Sequence, residues 1–205
     1  MPTEVLLVLA DRTASAPEPP GSGRYHYLRT SGWHRQAGSP GPDARTEPFD
    51  REDWCAADGS GRLLVTRDGQ AVPPSGDFPP GGLVGDFLAS AEPSEAIAHL
   101  RRYQGARGVV GWFLHVWRTQ VVPPALQRTL LRHLAAQPEL TIESAGAEVV
   151  VRCPHPQRPV VRHLVFDGGT GMLREERNLT ADGTTVTGCT RWHESGYVDT
   201  TDSRP

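Results

Sequence analysis

"HLVFDGGTGMLREERNLT", residues 163–180, is the stretch on which the fold turns. Leu164, Val165 and Phe166 form a short apolar run of strand-forming residues, and Asp167-Gly168-Gly169 is a turn signal. A second strand-like run, "MLREERNLT", then begins. The glycines at 168–171 lead into a strand and not into a helix, so they make a hairpin turn and not a phosphate cradle. The reading repeats on both sides. Downstream, "TTVTGCTRWHES" and "GYVDT" read as strands after the Ala181-Asp182-Gly183 turn. Upstream, "ELTIES" and "AEVVVRC" flank the Ala145-Gly146 turn. The C-terminal third is therefore an antiparallel strand meander.

The middle of the chain has a helical period. "PPALQRTLLRHLAAQ" begins at a proline pair, and Leu126, Leu130, Leu131 and Leu134 recur on one face until Pro138 ends the run. "GVVGWFLHVWRTQ" is apolar nearly all round, so its helix must be buried on several sides. "EPSEAIAHLRRYQ" has Ser94 as a cap and Ile97, Leu100 and Tyr103 on one face. At the N-terminus residues 2–15 read as a short helix, with Pro2 in the first turn, Glu4 complementing the dipole, and Val5, Leu6, Leu9 and Thr13 on one side. "APEPPGSG" breaks it. "GRYHYLRTSGWHRQ" then reads as the first strand, with Tyr25 and Tyr27 on one face and His26 and Leu28 on the other. Bulk on both faces predicts a strand covered on both sides. Residues 37–48 form a connection. "DREDWCAADGSGRLLVTRDGQ" is two strands about Asp58-Gly59-Ser60-Gly61, and residues 71–86, rich in Pro and Gly, are expected to be a mobile loop. The order of helix, strands, helices and strand meander gives an α+β class. The expectation is one domain over residues 1–205. Strands from 24–36, 52–66 and 139–199 would form a curved antiparallel sheet, an unclosed barrel, with helices from 93–136 across its concave face.

Composition narrows the function classes. The net charge is −3, with no basic excess to displace counterions from a nucleic acid, so no nucleic acid is expected as a partner. All 21 basic residues are Arg, which excludes a Schiff-base lysine. Cys55, Cys153 and Cys189 are widely spaced and form no CxxC or CxxH pair, so three buried thiols and no shared metal site are expected. No cofactor motif is present. The five-residue apolar run near the N-terminus is too short for a signal peptide or a membrane span, so the chain as written reads as soluble. Among the eight histidines there is no HxH or HExxH spacing. His34 and His193 each follow a tryptophan, Trp33 and Trp192, on predicted strands, and His115 lies within the apolar helix near Trp112 and Trp117. Acid–base chemistry would need a partner carboxylate, for which Asp50, Glu52, Asp53 and Asp86 have the right type. No catalytic residue is identified.

Four pieces together resemble a known bacterial family: "EVLLVLADRTASAPEP" leading into "GRYHYLRT"; "EDWCAADGSGRLL"; "VPPALQRTLLRHLAAQPELTIE"; and "HLVFDGGTGMLREERNLT" followed by "GYVDTTDSRP". The family's outer domain is related to the lipoprotein carrier LolA and the sigma-factor regulator RseB. The resemblance spans nearly the whole chain. It implies a strongly curved LolA/RseB-like half-barrel with helices in its mouth, where related folds bind lipid chains or peptides. Family members usually carry a cytoplasmic tail and a membrane helix ahead of this domain, and have no established catalytic residues. On this reading the chain is cytoplasmic if its start is native and extracytoplasmic if it is an excised outer domain.

The functional expectation is a binding protein that holds an apolar small molecule, a lipid or a peptide in the hollow of the sheet. Tyr25, Tyr27, Trp33, His34, Trp112, His115, Trp117, Trp192 and His193 are the candidate lining residues. The alternatives are a cofactor-independent cyclase or isomerase using the same hollow, and a regulatory module tied to a sigma factor through a protein partner.

Overall fold

The computed structural model describes residues 2–35, 46–83, 104–144, 146–154 and 160–205, together with Glu95 and Ala98. Helix α1 (Pro2–Arg12) runs into a 3-10 turn, Thr13–Ser15. Four strands follow: β1 (Tyr25–Arg35), β2 (Thr46–Ala56), β3 (Gly61–Arg67) and β4 (Gln70–Phe78). Helices α2 (Gln104–Thr119) and α3 (Pro124–Ala135) come next. The chain finishes with β5 (Thr141–Ser144), β6 (Glu148–Pro154), β7 (Val160–Asp167), β8 (Leu173–Thr180) and β9 (Val186–Val198). The predicted helix at 92–104 lies outside the described residues apart from Glu95, Ala98 and Gln104, the last of which begins α2.

The nine strands form one open sheet in the order β4-β3-β2-β1-β9-β8-β7-β6-β5. Every ladder is antiparallel. Two meanders, β1 to β4 and β5 to β9, are joined along β1 and β9, the first strand and the last. This is the expected α+β class with an unclosed antiparallel sheet.

The deciding hairpin closes by local chemistry. The Asp167 carboxylate accepts from the Gly169 and Thr170 amides and from the Thr170 hydroxyl. Gly171 takes a φ of +68°, where an added Cβ would come within 2.3 Å of the Leu9 carbonyl oxygen. The hairpin turn is also clamped from above. Arg12 donates to the Gly168 carbonyl and the Ser15 hydroxyl to that of Gly169, and the Gln127 amide donates to that of Gly171.

Pleating gives the sheet two different faces. The inner face of β6 to β8 carries Val149, Val151, Cys153, Leu164, Phe166 and Leu173. These join Leu6, Leu9 and Ala10 of α1, the apolar residues of α2, and Leu126, Leu130, Leu131 and Leu134 of α3 in the main core. A smaller cluster, Tyr27, Trp54 and Val198 with Tyr25 and Leu64 against it, lies on the outer face of β1 and β2. The first strand is thus covered on both sides, with Tyr27 and Leu28 both buried although they point in opposite directions.

Two expectations need correction. Residues 70–78 form the edge strand β4 and not a loop. Pro73 and Pro74 are tolerated because an edge strand has one side with no ladder to satisfy. The register slips between Leu63 and Val65, where the Ser75 hydroxyl accepts the Val65 N–H at 2.8 Å in place of a backbone carbonyl. Residues 84–86 of that stretch lie outside the described residues. Secondly, "TTVTGCTRWHES" and "GYVDT" contribute to one continuous strand, β9, which passes its irregularity against β1 with a bulge opposite Arg29 and Thr30. Among the described residues, no helix is long and apolar enough to cross a membrane.

Candidate functional site

The structure divides the aromatic and histidine candidates between the two faces. Trp112, His115 and Trp117 lie on α2, and Trp112 meets His115 edge to face at 5.7 Å between centroids. Trp117 and Trp192 come together at 5.9 Å, and the Trp192 indole donates to the Trp117 carbonyl at 2.8 Å. The Trp117 indole donates to Gln127 at 3.0 Å, so this ring is pinned in a hydrogen-bonded core. Tyr25 and Tyr27 belong to the outer cluster, where Tyr27 meets Trp54 at 5.2 Å. His193 shares a 2.6 Å hydrogen bond with Ser31. His34 is exposed, within 3.2 Å of Glu47 and beside Phe49. Trp33 is half-buried and faces Cys189 in the β1–β9 register. Trp112, His115, Trp117 and Trp192 are therefore gathered on the helix-bearing side, and Tyr25 and Tyr27 on the other, because residues of one strand alternate between faces.

The chemistry-bearing groups are mostly committed to structure. All three cysteines are free and buried. Burial pushes the Cys55 and Cys153 thiols up to about 12 and that of Cys189 to about 11, so none is a thiolate at neutral pH. Burial lowers the His26 imidazole to about 4, and its Nδ1 accepts the Val121 N–H at 3.0 Å. Asp53 is held by a two-bond fork from Arg51. Burial would raise Glu175, but the guanidiniums of Arg191 and Arg177 outweigh it and hold the carboxyl below its usual range. No group of three or more metal-type side chains converges among the described residues.

Among the described residues, three open depressions stand out. One, of about 380 Å³, is lined chiefly by charged groups of the outer face, including Asp167, Arg174, Glu175, Arg177 and Arg191. A second, of about 550 Å³, lies between Trp54, Arg62 and Leu64 and the C-terminal segment. The third, of about 500 Å³, is a cleft between α1 and the start of β6. Val5, Val8, Leu9 and Val149 line it, with Glu4, Arg12 and Gly146 at its rim. Val8 is 49% exposed and neighbouring Leu7 41%, and they are the large hydrophobic side chains that the described surface leaves open. Sequence reasoning used Val5 and Leu9 to dock α1 and did not single out Val8. Its signal was an aliphatic residue off the buried stripe of an otherwise amphipathic helix.

No family model matches the chain, and no curated protein matches it. Among solved structures it is similar to MucB in complex with MucA(peri), at 14% identity over 100% of this chain and 57% of that one, with a TM-score of 0.32. It is also similar to the Pseudomonas aeruginosa MucA/MucB complex, at 13% identity over 98% of this chain and 59% of that one, with a TM-score of 0.31. The chain thus spans less than two thirds of the length of those proteins. At such values the likeness carries no argument about partner or activity, and the fold assignment rests on the strand order itself.

Proposed function

We propose that this chain is a binding module that takes an aliphatic segment of a peptide partner into the cleft between α1 and β6. The observation that carries this reading is the cleft itself. It is open, about 500 Å³ in volume and aliphatic in its lining, with Val8 half exposed at its edge. A space of that size accepts two or three aliphatic side chains. Glu4 and Arg12 place both signs of charge at the rim, which suits the mixed polar edge of a peptide better than the single carboxylate of a fatty acid. The helix-bearing hollow, the first choice from sequence, is less favoured, since Trp112 and Trp117 already pack there against α3 and the sheet. Regulation through a protein partner is the biological form such a module would take. The three thiols, all pushed well above neutral pH, give no support to nucleophilic catalysis.

Anilinonaphthalene sulfonate and dansyl-undecanoic acid are the probes. Wild type is expected to enhance anilinonaphthalene sulfonate fluorescence, and Val8→Glu to remove most of that signal while keeping its melting temperature. An unchanged signal in Val8→Glu would remove the cleft from consideration. Tight binding of dansyl-undecanoic acid, lost in the same variant, would move the reading from peptide to lipid.

A further inference from the structure

Residues 199–205 lie across the outer face of the sheet, and three consecutive tail residues are held by two ion pairs and a hydrogen bond. The Asp202 carboxylate pairs with Arg62 at 2.5 Å. The Ser203 carbonyl accepts the Trp54 indole N–H at 2.7 Å. The Arg204 guanidinium forks onto Glu52, with both bonds at 2.8 Å. The receiving groups are built in advance. Glu52 is largely buried and accepts the Tyr27 hydroxyl at 2.7 Å, which aims the carboxylate at the guanidinium. Tyr27 and Trp54 are buried and pack on each other within the outer aromatic cluster. Gly196 lets Pro205 approach the strand, since a Cβ there would come within 2.6 Å of the proline Cβ.

The tail is gripped differently from the platform beneath it. Asp202, Ser203, Arg204 and Pro205 are exposed, and the ion pairs that hold them reach solvent. The Asp202–Arg62 pair, exposed on both sides, contributes little in water, the Arg204 fork onto Glu52 is the firmer contact, and covalent tethering, through its high effective concentration, keeps the segment in place. An open depression of about 550 Å³, lined by Trp54, Arg62, Leu64, Thr201, Asp202 and Arg204, lies beside these contacts. A preformed aromatic and carboxylate platform under a strap that rests mainly on one side-chain fork and its tether can exchange its occupant.

The geometry points to a peptide-recognition site at Glu52, Trp54 and Arg62. It reads an acidic residue and, two positions later, an arginine followed by proline. The chain's own residues 199–205 fill it in cis, and the occupant it is built to exchange them for is an extended segment of a partner protein with the same chemistry. The site is on a different surface from the α1 cleft and stands or falls separately from it.

The test uses the full chain with Asp202→Ala and Arg204→Ala together, which loosens the strap without touching the platform. The probe is a fluorescein-labelled peptide of sequence DTTDSRP, followed by anisotropy. The double variant is expected to bind it at least tenfold more tightly than wild type. That gain should vanish for a peptide in which arginine is replaced by alanine. It should also fall when Glu52→Gln is added, or Arg62→Ala, an alternative change at a partly exposed position. Equal binding by wild type and the double variant, or none by a double variant that melts like wild type, overturns the site. A concentration-dependent dimer of wild type that disappears with Arg204→Ala would show the occupant to be a second copy, and overturns the partner assignment.

Discussion

His26 sits on β1, with its Nδ1 bonded to the amide that follows α2, and burial lowers its pKa from 6.5 to about 4. In the unfolded chain the ring takes a proton near pH 6.5, whereas the folded protein resists until about pH 4. The unfolded state therefore binds more protons in that window. Stability should be intact above pH 6.5, fall as pH drops towards 4, and level off below it. The displacement corresponds to roughly 3 kcal/mol at most. In His26→Asn, whose side-chain oxygen can still accept the Val121 N–H, urea denaturation should lose this pH dependence. Equal slopes in both proteins would mean the imidazole does not titrate as described. Trp117 supplies a second test, because its ring is core and its indole satisfies buried Gln127. Trp117→Phe should cost about 1–3 kcal/mol by stranding the amide oxygen, and Trp117→Ala about 3–5 kcal/mol. A change of less than about 1 kcal/mol in Trp117→Ala would show that the ring borders open space. The three thiols should remain unreactive towards a disulfide reagent at pH 8 until the protein is unfolded.

Helix α2 is tied to the sheet by more than its apolar side chains. Glu176 on β8 is fully buried and faces Arg118 of α2, with Arg162 of β7 at 3.4 Å. Removing Arg118, itself partly exposed, leaves the buried carboxylate with Arg162 as its remaining cation, so Arg118→Met should cost about 1–3 kcal/mol. Adding Glu176→Met should recover part of that loss, a coupling that a double-mutant cycle reads directly. Purely additive losses would show the pair to be incidental. At the other end of the core, α1 is docked by the close approach of Gly171 to the Leu9 carbonyl. Gly171→Ala meets both an unfavourable φ and that oxygen, and should destabilise by more than about 1 kcal/mol. Hydrogen exchange should rise first in α1 and in the β7–β8 turn.

For the molecule as a whole, local signals carried the class, and spatial signals carried the site. The change from helical period at Leu126, Leu130, Leu131 and Leu134 to strand alternation after Pro138 was visible along the chain. So was the Asp167-Gly168-Gly169 turn, because period and turn chemistry depend on neighbours a few residues away. Bulk on both faces of residues 25–28 likewise announced a central strand, and the structure places β1 between β2 and β9. Pairing of β1 with β9, strands more than 150 residues apart by the Tyr25↔Val198 register, had no local trace. Neither did the inclusion of Pro73 and Pro74 in β4, since that depends on the strand lying at an edge. The sequence by itself determined which segments could be helix or strand and which side chains of each would share a face. Only the tertiary structure decided that Trp117 and Trp192 meet in the core while Tyr27 and Trp54 meet on the outer face, and that Glu52 receives Arg204. Those juxtapositions follow from long-range register, and a register that closes across the whole chain is set by the packing of all nine strands together.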